Sequence, residues 1–304
     1  MSKRILLANT IIMTLSISLL AGCVFDLETT SDPVPNSTST TPLTTSPGST
    51  SLTLASSTTI TIPVTVPVTV PATKPITKPA TKPAGGAYAN ISNQRTEWSY
   101  GYPDNWVSDY SGYWKFSKGN LYLTMDLGYE MGYTGKILDT LKEKGVKVTF
   151  FLTTEYIKEE PAYVKRMLAE GHRIGSHSTK HIDMVQLVGE SGTDLITNTR
   201  QWEVAYKALT GQTTNLYRAP KGVFSKRGMT VLEEMGYKTI FWGAAYADYD
   251  DKNQPSIATA KEKLYKYIDS GDVVLLHPFK TNSELLPEFI DDMRANGFDF
   301  ALIP

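Results

Sequence analysis

From about residue 88 to Pro304 the sequence predicts an α/β fold, a distorted (β/α) barrel of about seven parallel strands with helices packed outside. Two observations carry this expectation. Short apolar runs alternate with amphipathic stretches of helical period, and most of those stretches end at a glycine. The side chains with chemistry to offer, Asp126, His177, Arg218, Asp248 and His277, fall at or just beyond the predicted strand ends, where such barrels assemble their sites.

The elements follow in order. Leu121-Tyr122-Leu123-Thr124-Met125 reads as a strand with Asp126 at its C-terminal end. Tyr133 to Lys144 is an amphipathic helix closed by Gly145, and Lys147 to Leu152 a buried strand. Pro161 to Glu170 is a helix with proline in its first turn and Gly171 at its end. Arg173 to Ser176 is a short strand, Thr193 to Leu209 a long helix, and Leu216 to Arg218 a strand. Lys226 to Met235 is a helix, Thr239 to Trp242 a strand, Ser256 to Ser270 a helix and Val273 to Leu276 a strand. A helix over Ser283 to Ala295, stopped by Asn296-Gly297, leads into a last strand, Phe298 to Ile303.

The N-terminal third has a different character. Met1-Ser2-Lys3-Arg4, an apolar run from Ile5 to Leu20 and then Leu20-Ala21-Gly22-Cys23 describe a secretory signal over residues 1–22. Its ending resembles a bacterial lipobox, which implies cleavage before Cys23 and a lipid on the sulfur of this single cysteine, with residues 23–28 as the lipidated N-terminus. Residues 29–87 collapse to Thr, Ser, Pro, Val and Ala with a four-residue repeat around Pro63, Pro67 and Pro71. Such composition predicts a disordered, polyproline-like linker, able to hold the remaining domain (residues 88–304) on the order of 100 Å from a membrane. The expected location is therefore the outer face of a bacterial cell membrane, lipid-anchored and reaching the cell wall. A net charge of −1 leaves no basic footprint for nucleic acid.

The chemistry concentrates in a few positions. Of four histidines, His177 and His181 stand four residues apart, a spacing that puts both imidazoles on one face of a helical turn and within reach of one metal ion. His277 follows the apolar run Val273 to Leu276, whereas His172, just past a helix end, reads as structural. Asp126 precedes the turn glycine Gly128 and is aimed by it. Arg218, between Tyr217 and Ala219-Pro220, is held in place and able to fork onto a carboxylate. The apolar residues before Asp248 distinguish it from Asp250 and Asp251.

Taken in order, these positions resemble the motifs of the polysaccharide deacetylases of the NodB-homology group, carbohydrate esterase family four. Thr124-Met125-Asp126-Leu127-Gly128 stands for Thr-Phe-Asp-Asp-Gly. His177-Ser178-Thr179-Lys180-His181 matches the metal-binding pair, and Arg218-Ala219-Pro220-Lys221-Gly222 matches Arg-x-Pro-x-Gly. Asp248-Tyr249 stands where that family has Asp-Trp, and Leu275-Leu276-His277 matches Leu-x-His. Within the family the chain is most similar to the delta-lactam-forming de-N-acetylases that act on muramic acid of peptidoglycan.

The resemblance implies a NodB-type barrel and a metal-dependent hydrolase that removes acetyl from a cell-wall glycan. His177 and His181 would hold a divalent metal, zinc first, with cobalt, manganese and nickel as alternatives. Asp126 would be the general base, oriented by Arg218, and His277 the general acid, held protonated by Asp248. Backbone N–H groups of the Arg218–Gly222 turn would assist the oxyanion. Leu127 replaces the aspartate that ligates metal in most of the family, which predicts weak metal binding; Glu130 is a candidate substitute. That same leucine admits a second reading, an inert domain that binds glycan through Trp98, Tyr100, Tyr102, Trp106, Tyr110, Tyr113 and Trp114, or packs these aromatics as a cap on the barrel. A third keeps the enzyme and changes the polysaccharide to chitin-like or xylan.

Overall fold

The computed structural model describes residues 87–98 and 105–304, which belong to one of the chain's two units, Pro71–Pro304. The signal segment 1–22, Cys23 with residues 23–28, the linker up to residue 86, and Tyr100 and Tyr102 lie outside the described residues.

The elements run β1 (Thr96–Glu97), a 3-10 turn (Asn105–Tyr110), β2 (Gly112–Tyr113), β3 (Asn120–Leu127), α1 (Thr134–Glu143), β4 (Thr149–Leu152), α2 (Thr154–Glu159), α3 (Pro161–Ala169) and β5 (Arg173–Ser176). They continue with α4 (Met184–Val188), α5 (Thr193–Thr210), β6 (Leu216–Tyr217), β7 (Val223–Phe224), α6 (Lys226–Glu234), β8 (Lys238–Ile240), α7 (Ile257–Tyr265), β9 (Val273–Leu276), α8 (Lys280–Ala295) and β10 (Asp299–Phe300). Strands pair in parallel in the order β9-β3-β4-β5-β6-β8-β2, and β10 adds to the start of β3. The sheet curls back on itself, but among the described residues no full strand closes it. Past β8, Ala244 bridges Val274 alone, flanked by Gly243 N–H to Val273 O and Leu275 N–H to Ala244 O, both 2.9 Å. The barrel is therefore distorted, as the sequence predicts, and this loose seam is the cause.

Side-chain alternation along β3 sorts the layers. Leu121, Leu123, Met125 and Leu127 join the outer apolar cluster with Ile137, Leu141 and Tyr156. Tyr122, Thr124 and Asp126 occupy the opposite, inner face, where Tyr122 packs with Phe151, Leu216 and Ile240.

Several boundaries differ from expectation. The helix expected through Ser270 ends at Tyr265, because the chain tightens into three-residue turns (Tyr267 N–H to Leu264 O, Ile268 N–H to Tyr265 O) and Asp272 Oδ2 takes the Asp269 N–H. The last strand pairs over two residues, not six. The sequence reading passed over α2, whose N-cap Thr153 accepts from Tyr156 N–H and whose end is imposed by the Glu160-Pro161 bond that starts α3. It also passed over β1, paired antiparallel with β7. Trp98 is buried on Phe241 with ring centroids 4.2 Å apart, and Trp106, Tyr110 and Trp114 pack into the same cluster, so these aromatics form a cap on the barrel.

His172 has a structural environment. Its ring is buried, and Nδ1 accepts the Val148 N–H at 3.2 Å. Burial, then Lys147, lowers its pKa from 6.5 to about 4. At pH 7 both folded and unfolded imidazoles are neutral. As pH falls below 6.5 the unfolded chain takes a proton that the folded one refuses, so stability is lost down to about pH 4. Between pH 7 and pH 5 the wild type should lose about 2 kcal/mol more than His172→Gln in urea titrations; equal losses would remove His172 from acid unfolding.

Candidate active site

Asp126, His177, His181 and His277 line one cavity of about 780 Å³ at the C-terminal strand ends. Arg218 lies beneath it, fully buried and in contact with Asp126, and Asp248 is buried behind His277. The sequence-predicted residues are thus brought together.

Arg218 follows β6 and enters the barrel interior. Its Nε donates to Ile240 O at 3.0 Å, one terminal nitrogen to Thr124 Oγ1 and Asp126 Oδ1, both at 2.8 Å, and the other to Phe241 O at 3.3 Å. The guanidinium sits 4.2 Å above the Phe151 ring. That ring occupies the space of a side chain at position 175: a Cβ on Gly175 would lie 2.5 Å from it. The expected fork onto a carboxylate is not formed: Asp126 receives a single bond, while the guanidinium also donates to the Thr124 hydroxyl and to the carbonyls of Ile240 and Phe241. Asp126 Oδ2 stays free, 3.6 Å from His177 Nε2. Burial alone would raise the Asp126 pKa, yet Arg218, His177 and His277 together hold it below the usual carboxylate range.

His177 and His181 are not on a helix. After β5 the chain makes a turn in which Ser178 (φ 65°) and His181 (φ 55°) adopt left-handed backbone. Ser178 Oγ accepts the Ile182 N–H, Thr179 is clamped by Asn198, and Thr154 N–H donates to Thr179 O. The four-residue spacing still juxtaposes the rings, with centroids 4.8 Å apart. His177 Nδ1 lies 3.0 Å from Arg218 O, and a carbonyl only accepts, so Nδ1 carries the hydrogen and Nε2 presents its lone pair. Burial keeps both imidazoles neutral, His177 down to about 4 and His181 also lowered.

Two neutral imidazoles with Asp126 beside one of them fit a divalent metal. Among the described residues no cluster of three His, Cys, Asp or Glu completes such a site. Leu127 adds none: it is packed in the outer layer and does not line the cavity. Glu130 is no substitute, since Oε1 accepts from Gly132 and Thr134 N–H at the start of α1 and Oε2 from Tyr156 OH.

On the opposite wall, His277 Nδ1 lies 2.7 Å from Asp248 Oδ1, and its backbone N–H donates to Asp248 Oδ2 at 2.8 Å. Burial would lower the His277 pKa; Asp248, by charge and hydrogen bond, outweighs it and the pKa is raised. Sequence reasoning missed Asn282. It is fully buried on α8 and donates to Asp248 Oδ2 (2.6 Å) and His277 O (2.8 Å), while Tyr246 OH donates to Asn282 Oδ1. Its sequence signal is slight, a polar residue at i+5 from His277 on an otherwise amphipathic helix. Exposed Tyr129 and Tyr249 flank the cavity, Tyr249 with its ring 6.3 Å from that of His277. The Arg218 and Gly222 N–H groups already serve Ser176 O and Ala219 O, which withdraws these two from the expected oxyanion contacts.

The sequence profile described as polysaccharide deacetylase matches residues 115–240. The peptidoglycan-N-acetylmuramic acid deacetylase PdaA of Bacillus subtilis is 39% identical over 185 residues, covering 60% of this chain and 69% of the relative. The peptidoglycan-N-acetylglucosamine deacetylase PgdA of Listeria monocytogenes is 31% identical over 182 residues, 60% of this chain but 37% of the relative. In three dimensions, the structure of Bacillus subtilis PdaA, described as a family 4 carbohydrate esterase, matches with a TM-score of 0.64 at 31% identity, over 70% of this chain and 96% of that one.

Proposed function

Because this chain belongs to the polysaccharide deacetylase family of carbon–nitrogen hydrolases, we propose that it deacetylates peptidoglycan at N-acetylmuramic acid, with Asp126 and His277 as its proton-transfer residues. One observation carries the mechanism: two charge-paired groups, Asp126 with Arg218 and His277 with Asp248, open on the cavity that also holds His177 and His181.

Deacetylases of this family are generally metal-dependent. A divalent metal held by His177 and His181 would act as Lewis acid on the acetyl carbonyl and lower the pKa of a bound water. The chain's own residues move the protons. Asp126 Oδ2, free because Oδ1 is tied to Arg218, takes a proton from the attacking water as its oxygen bonds to the acetyl carbon. His277, protonated and anchored through Nδ1 to Asp248, delivers its Nε2 proton to the amide nitrogen as the C–N bond breaks. Acetate and a free sugar amine leave, and the proton on Asp126 replaces the one lost from His277.

Anchoring through lipid on Cys23, with residues 29–87 spanning toward the wall, belongs to this proposal and rests on the Leu20-Ala21-Gly22-Cys23 ending. Among the described residues no helix is long and apolar enough to cross a membrane. That no third protein ligand joins His177 and His181 among the described residues supports the alternative of a glycan-binding protein without activity, and the PgdA relative supports N-acetylglucosamine as the alternative sugar.

Acetate release from glycan strands freed of peptides separates these readings. Activity should vanish in a chelator and return with zinc, cobalt or manganese. Release from N-acetylglucosamine oligomers alone would replace the substrate, and binding without release under any metal would leave the non-catalytic reading.

A further inference from the structure

Lys221 is a cation at the cavity that no carboxylate among the described residues neutralises. It lines the cavity and is exposed. The cavity's other charged groups are engaged: Asp126 with Arg218, His277 with Asp248, and Glu155, 3.9 Å from Lys180. Lys221 stands close enough to His181 for its charge to help lower that imidazole's pKa.

Its backbone is fixed in an uncommon way. Lys221 is left-handed (φ 60°), as is Gly222 after it (φ 65°), with Pro220 before. The turn is held by Gly222 N–H to Ala219 O and by Trp98 N–H to Gly222 O, and a Cβ on Gly222 would lie 2.8 Å from Trp242. A long side chain in left-handed backbone is a strained choice that the packing enforces. A rigid turn carrying an unpaired ammonium beside a catalytic cavity is built for an anion from outside the chain.

We infer that Lys221 forms a carboxylate-binding subsite that receives the lactyl carboxylate of muramic acid and sets the preference for it over glucosamine. The inference rests on the substrate reading above. N-acetylmuramic acid and N-acetylglucosamine carry the same acetamide and differ by the lactyl ether on the neighbouring oxygen, so a sugar whose acetamide faces His177 and His181 holds that carboxylate nearby. The two sugars are otherwise alike to the proton-transfer residues, so a cation that meets the carboxylate alone would discriminate between them.

The test compares three substrates: muramic-acid-containing strands with free lactyl carboxylates, the same strands with those carboxyls converted to methylamides, and N-acetylglucosamine oligomers. The wild-type protein should prefer the carboxylate form over the amide by roughly tenfold to a hundredfold in kcat/KM, the range of one charge-assisted hydrogen bond, and less so at high salt. Lys221→Ala should bring that ratio close to one, chiefly through KM; Lys221→Arg should keep most of it, and Lys221→Glu should invert it. Equal wild-type rates on carboxylate and amide forms would overturn the inference without recourse to any variant, as would an equal loss on both forms in Lys221→Ala. Release from N-acetylglucosamine oligomers alone would overturn the muramic acid reading itself, which the muramyl amide arm distinguishes: there a failed carboxylate subsite still leaves muramyl activity.

Discussion

Asp126→Asn should lower kcat/KM for deacetylation by about 10²–10⁴ while the protein remains folded, the range expected for loss of a general base. The amide keeps the carboxylate's shape and can still accept from Arg218, so the drop reports lost proton acceptance rather than lost geometry. A second effect accompanies it. Arg218 is 0% exposed and Asp126 is its carboxylate partner, so neutralising that carboxylate leaves a cation buried without compensation. Breaking such a pair costs about 3–5 kcal/mol, which denaturant titration should show as a lower midpoint at unchanged slope. The two readouts separate the roles. Lost activity at near-normal stability would mean that Thr124 and the carbonyls of Ile240 and Phe241 suffice to hold Arg218. Activity within tenfold of wild type would remove Asp126 as base.

Asp248→Asn should act through His277. The raised pKa of His277 depends on the Asp248 charge and hydrogen bond; without them burial dominates and the pKa falls. A general acid is active when protonated, so the rate declines as pH rises through its pKa. The wild type should therefore keep activity above pH 6.5, the ordinary imidazole value, and Asp248→Asn should move the alkaline limb of the profile to lower pH, with a loss of about 10²-fold at neutral pH. Stability follows the same sign. A raised folded pKa contributes stability that is fully present below 6.5 and is lost as pH rises through the folded value. Asn282→Ala retains the carboxylate but frees it, and should shift the limb less than Asp248→Asn does. An alkaline limb that stays put in Asp248→Asn would end the assignment of His277 as the acid.

Much of this molecule is legible in the amino-acid order. The alternation of apolar runs with amphipathic, glycine-closed stretches records which face of each segment leaves water, and that is local information. It places β3, β4, β5 and β9 within a residue or two, and with them Asp126 and His277 at strand ends. The short, irregular pieces were hidden for the same reason. Neither two-residue β1 and β7 nor α2 is long enough to show a period, and β1 finds its partner through residues far away in the chain.

What the sequence determined by itself is the set of chemical groups, the order of the longer strands and helices, and which strand ends carry Asp126 and His277. Tertiary structure alone decided how those groups meet. Arg218 reaches Asp126 across 92 positions of sequence, and Asn282 reaches Asp248 across 34. His177 and His181 face each other through two left-handed residues rather than a helix, and Leu127 turns away from the cavity because its neighbour turns toward it. Periodicity reports burial one residue at a time, whereas the directional bonds to a buried charge are fixed only when packing brings residues distant in sequence within hydrogen-bond reach, as around Arg218 and Asp248.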